Sequence, residues 1–283
     1  MKLYSFNVNG IRAIGRKGFW EWLYNTQPDI LCIQEIKADD LIMAQLKSEH
    51  PEIKLNLLNN LDDNALINEA DSENGLEYNL FWHSCTMKKG YSGTAILFKK
   101  NLFKSFTRKI GIGNQKFDIE GRMTILENEK FCLFNGYFPQ GGREGRVAYK
   151  IEFYEELLEL LSRYKNEGKK IIVCGDLNTT VTDIDLARPK ENRNTTGCLP
   201  EEREVLQKYF DFGLIDSFRY FYPDLAGKYS YWDQITRARE RNVGWRIDYF
   251  LVDKELRQNM VDAQILDQVF GSDHCPVLLE LDI

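Results

Sequence analysis

Acids, amides and one histidine stand where probable buried strands begin or end. They are Asn7 and Asn9, Glu35, Asp176 and Asn178, Asp248, and Asp273 with His274. Strand ends of a layered α/β fold converge on a common rim, where ligands bind. Any one of these acids alone is more simply explained as a helix cap, a turn residue or a surface ion-pair partner. Because they occur together, and because histidine is uncommon in this chain, we expect a functional site.

The expected rim is rich in oxygen ligands. It carries the carboxylates of Glu35, Asp176 and Asp273, and hard oxygen ligands suit Mg²⁺ or Mn²⁺. The chain has only three histidines, and none of its cysteines stands at a spacing typical of a zinc site. The sequence therefore favours a magnesium or manganese site over a di-zinc site.

Two short motifs indicate how such a site could act on a phosphate. In Asp273-His274 one residue can bind a metal while the other donates to a phosphate oxygen, as a histidine of near-neutral pKa does when a carboxylate such as Asp248 holds it. A satisfied core histidine is the simpler alternative. Asp176 and Asn178 face the same way if their segment is extended, which suits a water-activating base beside an orienting amide. An Asx turn is the competing interpretation.

Two further segments suit contact with a nucleic acid. Tyr137 begins a glycine-rich loop that carries Gln140 and Arg143, and no P-loop or G-x-G-x-x-G motif is present. Elsewhere a group of arginines, Arg237, Arg239 and Arg241, is flanked by the aromatic residues Tyr229, Tyr231, Trp232 and Trp245. Basic residues interleaved with aromatic ones suit contact with nucleic acid or with an extruded sugar or base. Core packing is the alternative, and we expect it for Trp232.

The elements that must position these residues follow from the hydrophobic period, which switches between two and 3.6 along the chain. Strands are predicted over 3–8, 29–33, 78–85, 94–98, 102–106, 123–126, 131–138, 170–174, 246–252 and 276–281. Helices are predicted over 19–24, 39–49 and 147–164, and from Pro200 to about Gly213. We therefore expect a layered α/β protein with at least one mixed or antiparallel sheet.

The chain shows no linker, repeat or break in composition, so we expect one domain over residues 1–283. Residues 56–77 are rich in asparagine and acids and are predicted to be a surface insertion. The 43% hydrophobic and 28% charged fractions are ordinary for a globular protein. No stretch approaches the roughly 20 apolar residues of a membrane span, and polar residues arrive too early for a signal peptide.

Composition also bears on the compartment and on the partner. We expect a cytoplasmic protein whose six cysteines are reduced and mostly buried. The net charge of −6 argues weakly against a nucleic-acid binder. The basic residues are nevertheless clustered, at 237–241, at 188–193 and at 143–146, so a local basic face is expected on an acidic protein.

Eight motifs in order give a resemblance that covers nearly the whole chain. They are residues 5–13 (SFNVNGIRA), 34–37 (QEIK), 90–95 (GYSGTA), 135–139 (NGYFP), 175–178 (GDLN), 184–190 (IDLARPK), 245–249 (WRIDY) and 271–276 (GSDHCP). With these motifs the chain resembles the exonuclease III and apurinic/apyrimidinic endonuclease family, within the endonuclease/exonuclease/phosphatase superfamily. The motifs at 91–94, 188–189 and 245–248 point to its DNA-repair branch.

The resemblance implies a fold and an activity. The fold is a two-sheet β-sandwich flanked by helices in four layers, as in deoxyribonuclease I, with the active site at one edge. The activity is Mg²⁺-dependent hydrolysis of the phosphodiester 5′ to an abasic site in duplex DNA, with Mn²⁺ able to substitute. The products are a 3′-hydroxyl and a 5′-deoxyribose phosphate, and 3′–5′ exonuclease and 3′-phosphodiesterase activities accompany this reaction in the family. A monomer that does not bind membranes is expected.

The resemblance also implies roles for individual residues. The implied metal ligands are Glu35, Asp273, Asn9, Asp176 and Asn178. For the reaction itself, Asp176 would activate the attacking water and Asn178 would orient it. His274, held by Asp248, would contact the scissile phosphate. Tyr137 would contact that phosphate or handle a proton, and Asn7 would hold the hydrogen-bond network. The implied DNA contacts are Arg143 and Arg146 in a loop that enters bent DNA, Gln140, Asn192 on the backbone, and Tyr231, Trp245 and Ile247 around the flipped-out abasic sugar.

Two departures and two alternatives accompany this assignment. Asn9 stands where some relatives carry aspartate and others asparagine, and the insertion over 56–77 is unusual and has no assigned function. The first motif begins at Ser5, so no N-terminal regulatory extension is expected. The superfamily also contains inositol-phosphate phosphatases and nucleases of RNA tails. A catalytically idle nucleic-acid-binding protein is the alternative from another class, and metal-dependent turnover would exclude it.

Overall fold

Two mixed β-sheets lie face to face in the computed structural model, which describes residues 1–59 and 76–283. In these residues the strands are β1 (Lys2–Asn7), β2 (Ile30–Gln34), β3 (Ile53–Leu57), β4 (Leu76–His83), β5 (Thr94–Lys99), β6 (Phe106–Ile110), β7 (Met123–Asn128), β8 (Cys132–Tyr137), β9 (Ile171–Asp176), β10 (Leu214–Asp216), β11 (Asp248–Asp253), β12 (Met260–Ile265) and β13 (Val277–Leu281). The α-helices of the same residues are α1 (Ile11–Gly15), α2 (Phe19–Thr26), α3 (Asp40–Glu49), α4 (Gln115–Asp118), α5 (Arg146–Asn166), α6 (Pro189–Asn192), α7 (Pro200–Asp211) and α8 (Ser217–Phe221).

The sheet orders bring the first and last strands of the chain together. The first sheet runs β12-β13-β1-β2-β5-β4-β3, and the second runs β10-β11-β9-β8-β7-β6. Parallel pairs, β1 with β2 and β8 with β9, lie at the centre of each sheet among antiparallel neighbours. Both sheets are therefore mixed, as the strand pattern predicts.

Alternating side chains on each strand build three apolar layers. Leu3 of β1 faces the second sheet, where it shares a core with Leu133 and Ile172. The opposite face of the first sheet packs against α2 and α3 through residues such as Phe6 and Leu23. The outer face of the second sheet is covered in the same way by α5 and α7. The result is a four-layer helix–sheet–sheet–helix sandwich, as the family resemblance implies.

The structure corrects two predicted elements. The strand expected over 102–106 is wrong: residues 102–105 form a turn, and β6 begins at Phe106. Leu102 and Phe103 are apolar because their side chains pack against the core between the sheets. Their hydrophobicity therefore does not indicate a strand. The predicted insertion over 56–77 has strand residues at both ends, because β3 reaches Leu57 and β4 starts at Leu76. Residues 60–75 lie outside the described residues.

Two further findings concern the described residues alone. Within 1–59 and 76–283, no helix combines the length and the apolar character that crossing a membrane requires. All six cysteines are free thiols, and five of them are buried, with Cys85 half-buried. They pack as small apolar side chains, as expected.

Candidate active site

The candidate site lies at the edge where strands of both sheets end. Asn7 is the last residue of β1, and Glu35 follows β2 in the first sheet. Asp176 ends β9, and the antiparallel neighbour β11 begins with Asp248, which is directly opposite Asp176 in the register. His274, three residues before β13, reaches the same edge. The sheet topology therefore assembles groups that are up to 267 residues apart in sequence.

Asn7 joins the two sheets at this edge. Its fully buried side-chain amide donates to Glu35 Oε1 at 2.8 Å and to Asp176 Oδ2 at 2.9 Å. Behind it, Gln34 Nε2 donates across the sheets to Asn135 Oδ1 at 2.7 Å. Buried amides thus fix the separation of the two carboxylates.

His274 is held by a carboxylate on each side. Its Nδ1 donates to Asp248 Oδ2 at 2.8 Å, and its Nε2 lies 3.8 Å from Asp176 Oδ2. Burial lowers the pKa of His274, but the charges of Asp248 and Asp176 outweigh burial and raise it to about 10. The carboxylates on both sides of His274 therefore favour its protonated form.

Burial acts on the pKa of Asp176 in the opposite direction from its effect on His274. Burial raises its pKa, the positive charge of His274 lowers it, and the charges of Asp248 and Glu35 raise it again, to about 7 in all. A carboxylate with such a pKa exchanges protons readily at neutral pH, which suits a general base. The side chain is 2% exposed, so water reaches it only from the edge of the sheets.

Asn178 does not extend the strand of Asp176. Its φ is +54°, and its backbone N–H donates to Asp176 Oδ1 at 2.9 Å, which defines an Asx turn. Of the two alternatives for this pair, an extended segment or an Asx turn, the structure shows the Asx turn. The side-chain amide of Asn178 donates at 2.9 Å to the carbonyl of Phe138, the residue that follows β8, and this bond orients it.

The acidic groups suit a hard divalent cation. Among the described residues, Glu35, Asp176 and His274 form a cluster whose ligand atoms all lie within 4.8 Å of one another. Asp273 is not in that cluster and instead accepts from Asn9 Nδ2 at 2.9 Å. A lysine already occupies part of this region, since Lys37 Nζ contacts Glu35 Oε2 at 2.7 Å and also donates to Asn9 Oδ1.

That lysine shows that the oxygens of Glu35 and Asn9 are placed to share one cation. The cluster offers the carboxylates of Glu35 and Asp176, which suit a hard cation such as Mg²⁺ or Mn²⁺, and the imidazole of His274, which also suits zinc. The geometry therefore supports a site for a divalent cation. Lys37 was not among the expected site residues, although it closes the motif at 34–37.

The backbone at the end of β9 depends on a glycine. Gly175 pairs with Gly136 of β8, and its φ is +127°. A Cβ added to Gly175 would lie 1.9 Å from the Gly136 carbonyl oxygen. Tyr137 and Asp176, the next residues on the two strands, are paired in the same register, so this close approach places them side by side.

Tyr137 lies between charges of both signs. Burial and the charges of Glu35 and Asp176 raise its pKa, while the guanidinium of Arg122 lowers it. Arg122 and its partner Glu120 are buried beside the site, and the sequence motifs did not single them out. An arginine and a glutamate two residues apart give no sequence signal of burial, because such pairs are usually exposed.

Arg146 differs from its expected place in a loop. It is the first residue of α5, and its guanidinium donates to Glu120 Oε1 at 3.0 Å and stacks on Tyr149. Arg143 is exposed, and with Gln140 and Tyr137 it lines a cavity of about 230 Å³. The expected DNA contacts Arg143, Gln140 and Arg146 all line this cavity, and Arg146 also forms an ion pair with Glu120.

Of the three residues expected to line a sugar pocket, Tyr231 lies next to His274 and Trp245 pairs with Tyr231. Tyr231 forms isolated bridges with both His274 and Trp245, and its ring centre is 4.9 Å from that of His274. Trp245 is half-buried and Ile247 is buried. Asn192 lies apart from them at the end of α6, where its side chain caps the Arg188 carbonyl at 2.9 Å.

A buried ion-pair cluster holds the segment before Asp248. Arg246 is 1% exposed and donates to Asp185 Oδ1 at 2.7 Å and to Asp216 Oδ2 at 2.7 Å. Arg219 Nη2 also donates to Asp185, at 2.6 Å. The motifs at 184–190 and 245–249 are therefore linked through the core.

The loop after Tyr231 carries a signal that the sequence analysis missed. Ile235 is 94% exposed, which is high for an isoleucine, and Asp233 fixes its turn through bonds to the amides of Ile235 and Thr236. Arg239 docks the loop by donating to the carbonyls of Asp267, Val269 and Ser272. Ile235 is therefore a single exposed apolar side chain on a loop that Arg239 anchors.

Comparisons with known proteins agree with this geometry. Residues 4–274 match the model of the Endonuclease/Exonuclease/phosphatase family. The chain is 39% identical over 285 residues to a Bacillus subtilis exodeoxyribonuclease, covering 100% of both chains. It is 35% identical over 289 residues to the DNA repair nuclease APEX1 of Danio rerio, covering 100% of this chain and 83% of that one.

A solved structure supports the fold in the same way. The AP endonuclease LMAP from Leishmania major has a TM-score of 0.81 and 26% identity, covering 100% of this chain and 87% of that chain. The expected fold class is confirmed.

Proposed function

The chain belongs to the endonuclease/exonuclease/phosphatase family, and from this we propose that it hydrolyses the phosphodiester 5′ to an abasic site in duplex DNA with Mg²⁺ as cofactor. It is a hydrolytic DNA repair nuclease of the exodeoxyribonuclease III and AP endonuclease type, as its full-length relatives indicate. The proposed products are a 3′-hydroxyl and a 5′-deoxyribose phosphate. The same chemistry at a 3′ end would give 3′–5′ exonuclease and 3′-phosphodiesterase activity.

The observation that carries the proposal is that a proton acceptor, Asp176, and a hydrogen-bond donor for a phosphate oxygen, His274, lie together at the edge of the two sheets. The imidazolium of His274, held at Nδ1 by Asp248, directs Nε2 towards the space that Asp176 also faces. A carboxylate with a pKa of about 7 beside a fixed cation suits a reaction in which water attacks an anionic phosphorus.

Four side chains of the site have proposed roles in the reaction. A phosphodiester resists attack because its negative charge repels nucleophiles. His274 donates from Nε2 to a non-bridging oxygen and stabilises the charge that develops there. Asp176 accepts the proton of the attacking water, and Asn178, oriented by Phe138, positions that water. Tyr137, beside Asp176 in the strand register, contacts the phosphate or takes part in the proton transfer.

Glu35 and Asp176 would hold Mg²⁺, with Asp273 and Asn9 at the adjoining position. When bound, the cation supplies Lewis-acid stabilisation of the phosphate and offsets the charge of the carboxylates. Lys37 must yield its contact with Glu35 Oε2 if that oxygen becomes a ligand.

The lesion itself makes recognition favourable. An abasic nucleotide has no base to unstack, so extruding it costs less than flipping an intact nucleotide. Tyr231 lies beside His274 and pairs with Trp245, and these two residues together with Ile247 would receive the bare sugar. Ile235 would press into the duplex as an apolar wedge, and Arg143, Gln140 and Asn192 would contact the flanking backbone.

The test is incision of an end-labelled duplex that contains one synthetic abasic residue, with an identical undamaged duplex as control. We expect one cut 5′ to the lesion in Mg²⁺ and no cut when a chelator is present. Metal-independent cutting would overturn the metal requirement. A folded protein that leaves the lesion intact in both Mg²⁺ and Mn²⁺ would overturn the proposal.

A further inference from the structure

Arg122 is a buried arginine that the reaction scheme does not use. It precedes β7 and is 1% exposed, so its charge is almost completely removed from water. Burial of a guanidinium is costly unless every donor finds an acceptor in good geometry. The partners of Arg122 therefore indicate what its position achieves.

One side of the guanidinium holds Tyr137. Arg122 Nη1 donates to the Tyr137 carbonyl at 2.9 Å, and the Tyr137 N–H donates to the Arg122 carbonyl at 2.8 Å. The guanidinium carbon also lies 4.9 Å from the centre of the Tyr137 ring. Backbone and ring of Tyr137 are thus fixed by the same side chain.

The other side of the guanidinium contacts the loop that contains Tyr91. Arg122 Nη2 donates to the Tyr91 hydroxyl at 2.8 Å. Tyr91 lies in the loop whose next residues, Ser92 and Gly93, accept hydrogen bonds from the backbone of Lys37 and Ile36. Because Lys37 and Ile36 follow Glu35 directly, Arg122 bridges the Tyr137 strand and the loop that supports Glu35.

A third partner keeps the guanidinium in place. Arg122 Nε donates to Glu120 Oε2 at 2.5 Å, and Glu120 is 3% exposed and accepts from Arg146 as well. Gly121 between them has φ +67°, and an added Cβ there would lie 2.6 Å from the His83 carbonyl oxygen. The backbone that presents this pair is therefore packed against β4 without space for a side chain.

We propose that Arg122 is a positioning residue that sets the Tyr137 hydroxyl against the reacting phosphate and ties that placement to Tyr91 and the loop behind Glu35. The inference rests on the proposed function, since it assigns Tyr137 to the reaction. Lysine cannot replace the arginine, because a single ammonium cannot donate in three directions in one plane to a carboxylate, a carbonyl and a hydroxyl.

The test is a double-mutant cycle on the intact protein with Arg122→Lys, Tyr137→Phe and the double variant. Misplacing a reacting group by about 1 Å costs about a hundredfold in rate, so we expect Arg122→Lys to lower kcat by roughly 10- to 100-fold. KM should change by less than about threefold, because Arg122 is 1% exposed and does not line the cavity beside Tyr137. In the Tyr137→Phe background the same change should cost less than about threefold. Additive losses, or a loss confined to KM, would overturn the proposal.

Two further variants separate positioning from stability. Lys165→Met removes the partner of the buried Asp253 at the far end of β11, and we expect it to lower Tm while kcat stays unchanged. Tyr91→Phe keeps the ring and removes the hydroxyl that Arg122 contacts, and it provides the test if Arg122→Lys does not fold. We expect a roughly fivefold lower kcat from Tyr91→Phe that vanishes in the Tyr137→Phe background. A wild-type kcat for Tyr91→Phe would contradict the bridge.

The cycle is measured on the abasic duplex and on an undamaged duplex with a recessed 3′ end. If the wild-type protein degrades the 3′ end but spares the lesion, the proposed lesion specificity fails while the cycle still reports on Arg122. If both duplexes are cleaved and the losses are additive, only the positioning role fails. If neither duplex is cleaved by the folded protein, both proposals are overturned.

Discussion

A histidine and a carboxylate lie 3.8 Å apart in this site, and the pKa of each is raised above its ordinary value. His274 keeps its proton at neutral pH because two carboxylates surround it, with a pKa of about 10. Asp176 loses its proton only near neutrality, with a pKa of about 7. One group is therefore ready to donate a hydrogen bond and the other is ready to accept a proton.

Replacing Asp176 by asparagine tests this division of labour. Asp176→Asn keeps the size and can keep the Asn178 turn, but it cannot accept a proton. We expect the incision rate to fall by at least about a thousandfold while affinity for the abasic duplex changes by less than about threefold. Single-turnover kinetics and fluorescence anisotropy measure the two quantities. A parallel collapse of binding would show that Asp176 acts in holding DNA instead.

Asp185 gives a pH-dependent prediction about stability. Burial raises its pKa, but the charges and hydrogen bonds of Arg246 and Arg219 outweigh burial and lower it. Because the folded pKa lies below the unfolded pKa of about 4, the ion pairs stabilise the fold above that pH and their contribution is lost as the pH falls through the folded value.

The matched variant is Asp185→Asn, which leaves Arg246 buried without this carboxylate. At pH 7 we expect it to lower the free energy of unfolding by about 3 kcal/mol. The difference from the wild-type protein should shrink as the pH falls below about 4, where the wild type loses the same interaction. Urea unfolding at pH 7 and pH 3 measures both values. An equal difference at the two pH values would contradict the ionic origin.

Single residues also show how far sequence reasoning reaches. The groups at strand ends were predictable as a set, because caps, turns and ion pairs explain one such residue but not so many of them together. The contacts that tune them were not predictable, since Asn7 and Asp176 are 169 residues apart and Arg122 contacts Tyr91 across 31 residues. Such pairs depend on the sheet orders, which periodicity does not specify.

Among the elements, the central strands and the long helices were predictable and the edges were not. Buried strands such as β2 and β9 are continuous apolar runs, and α5 shows a clear apolar face. The edge strands β3 and β12 and the short edge strand β10 were missed, because strands with one unpaired side mix exposed and buried residues. Ladder hydrogen bonds to a neighbouring strand hold them, and that information is not local.

The end of β9 gives a prediction about backbone geometry. Gly175→Ala would place a Cβ 1.9 Å from the Gly136 carbonyl oxygen at φ +127°, so β8 and β9 would have to separate. We expect a loss of about 3 kcal/mol or more in the free energy of unfolding. Denaturant unfolding monitored by tryptophan fluorescence measures it.

Gly168→Ala is the matched control. Gly168 also has a positive φ, +77°, but an added Cβ there meets nothing within 4 Å. We expect a loss of only about 1 kcal/mol, the ordinary cost of that conformation for alanine. Similar losses for the two variants would show that strain in φ, and not the contact with Gly136, makes Gly175 necessary.

For the whole molecule, the question is how a protein of net charge −6 binds a polyanion. Exposed cations lie where the proposed DNA path runs, at Arg143 beside the site and at Lys190 in α6. Local charge governs the approach of DNA more than the total does. The net charge of −6 argued weakly against binding to nucleic acid. The family relationship and these exposed cations outweigh that argument.

Salt dependence of binding tests this distribution of charge. Each phosphate contact contributes about −0.9 to the slope of log K against log salt. We expect Arg143→Gln and Lys190→Gln each to reduce the magnitude of that slope by about one. Lys47→Gln is the control, since Lys47 is exposed in the last turn of α3, before β3 begins at the opposite end of the sheet. An equal effect of all three variants would mean that net charge alone governs binding.

The measurement that tests the central claim most directly is mass spectrometry of a single-turnover incision carried out in ¹⁸O-labelled water. The substrate is a duplex with one abasic residue, and the Asp176→Asn protein is the control. Attack of water on phosphorus predicts a 3′-hydroxyl on one fragment and a 5′-deoxyribose phosphate that carries one ¹⁸O on the other. A 3′-unsaturated aldehyde without ¹⁸O in the phosphate would identify elimination instead of hydrolysis, and would contradict the roles assigned to Asp176 and His274.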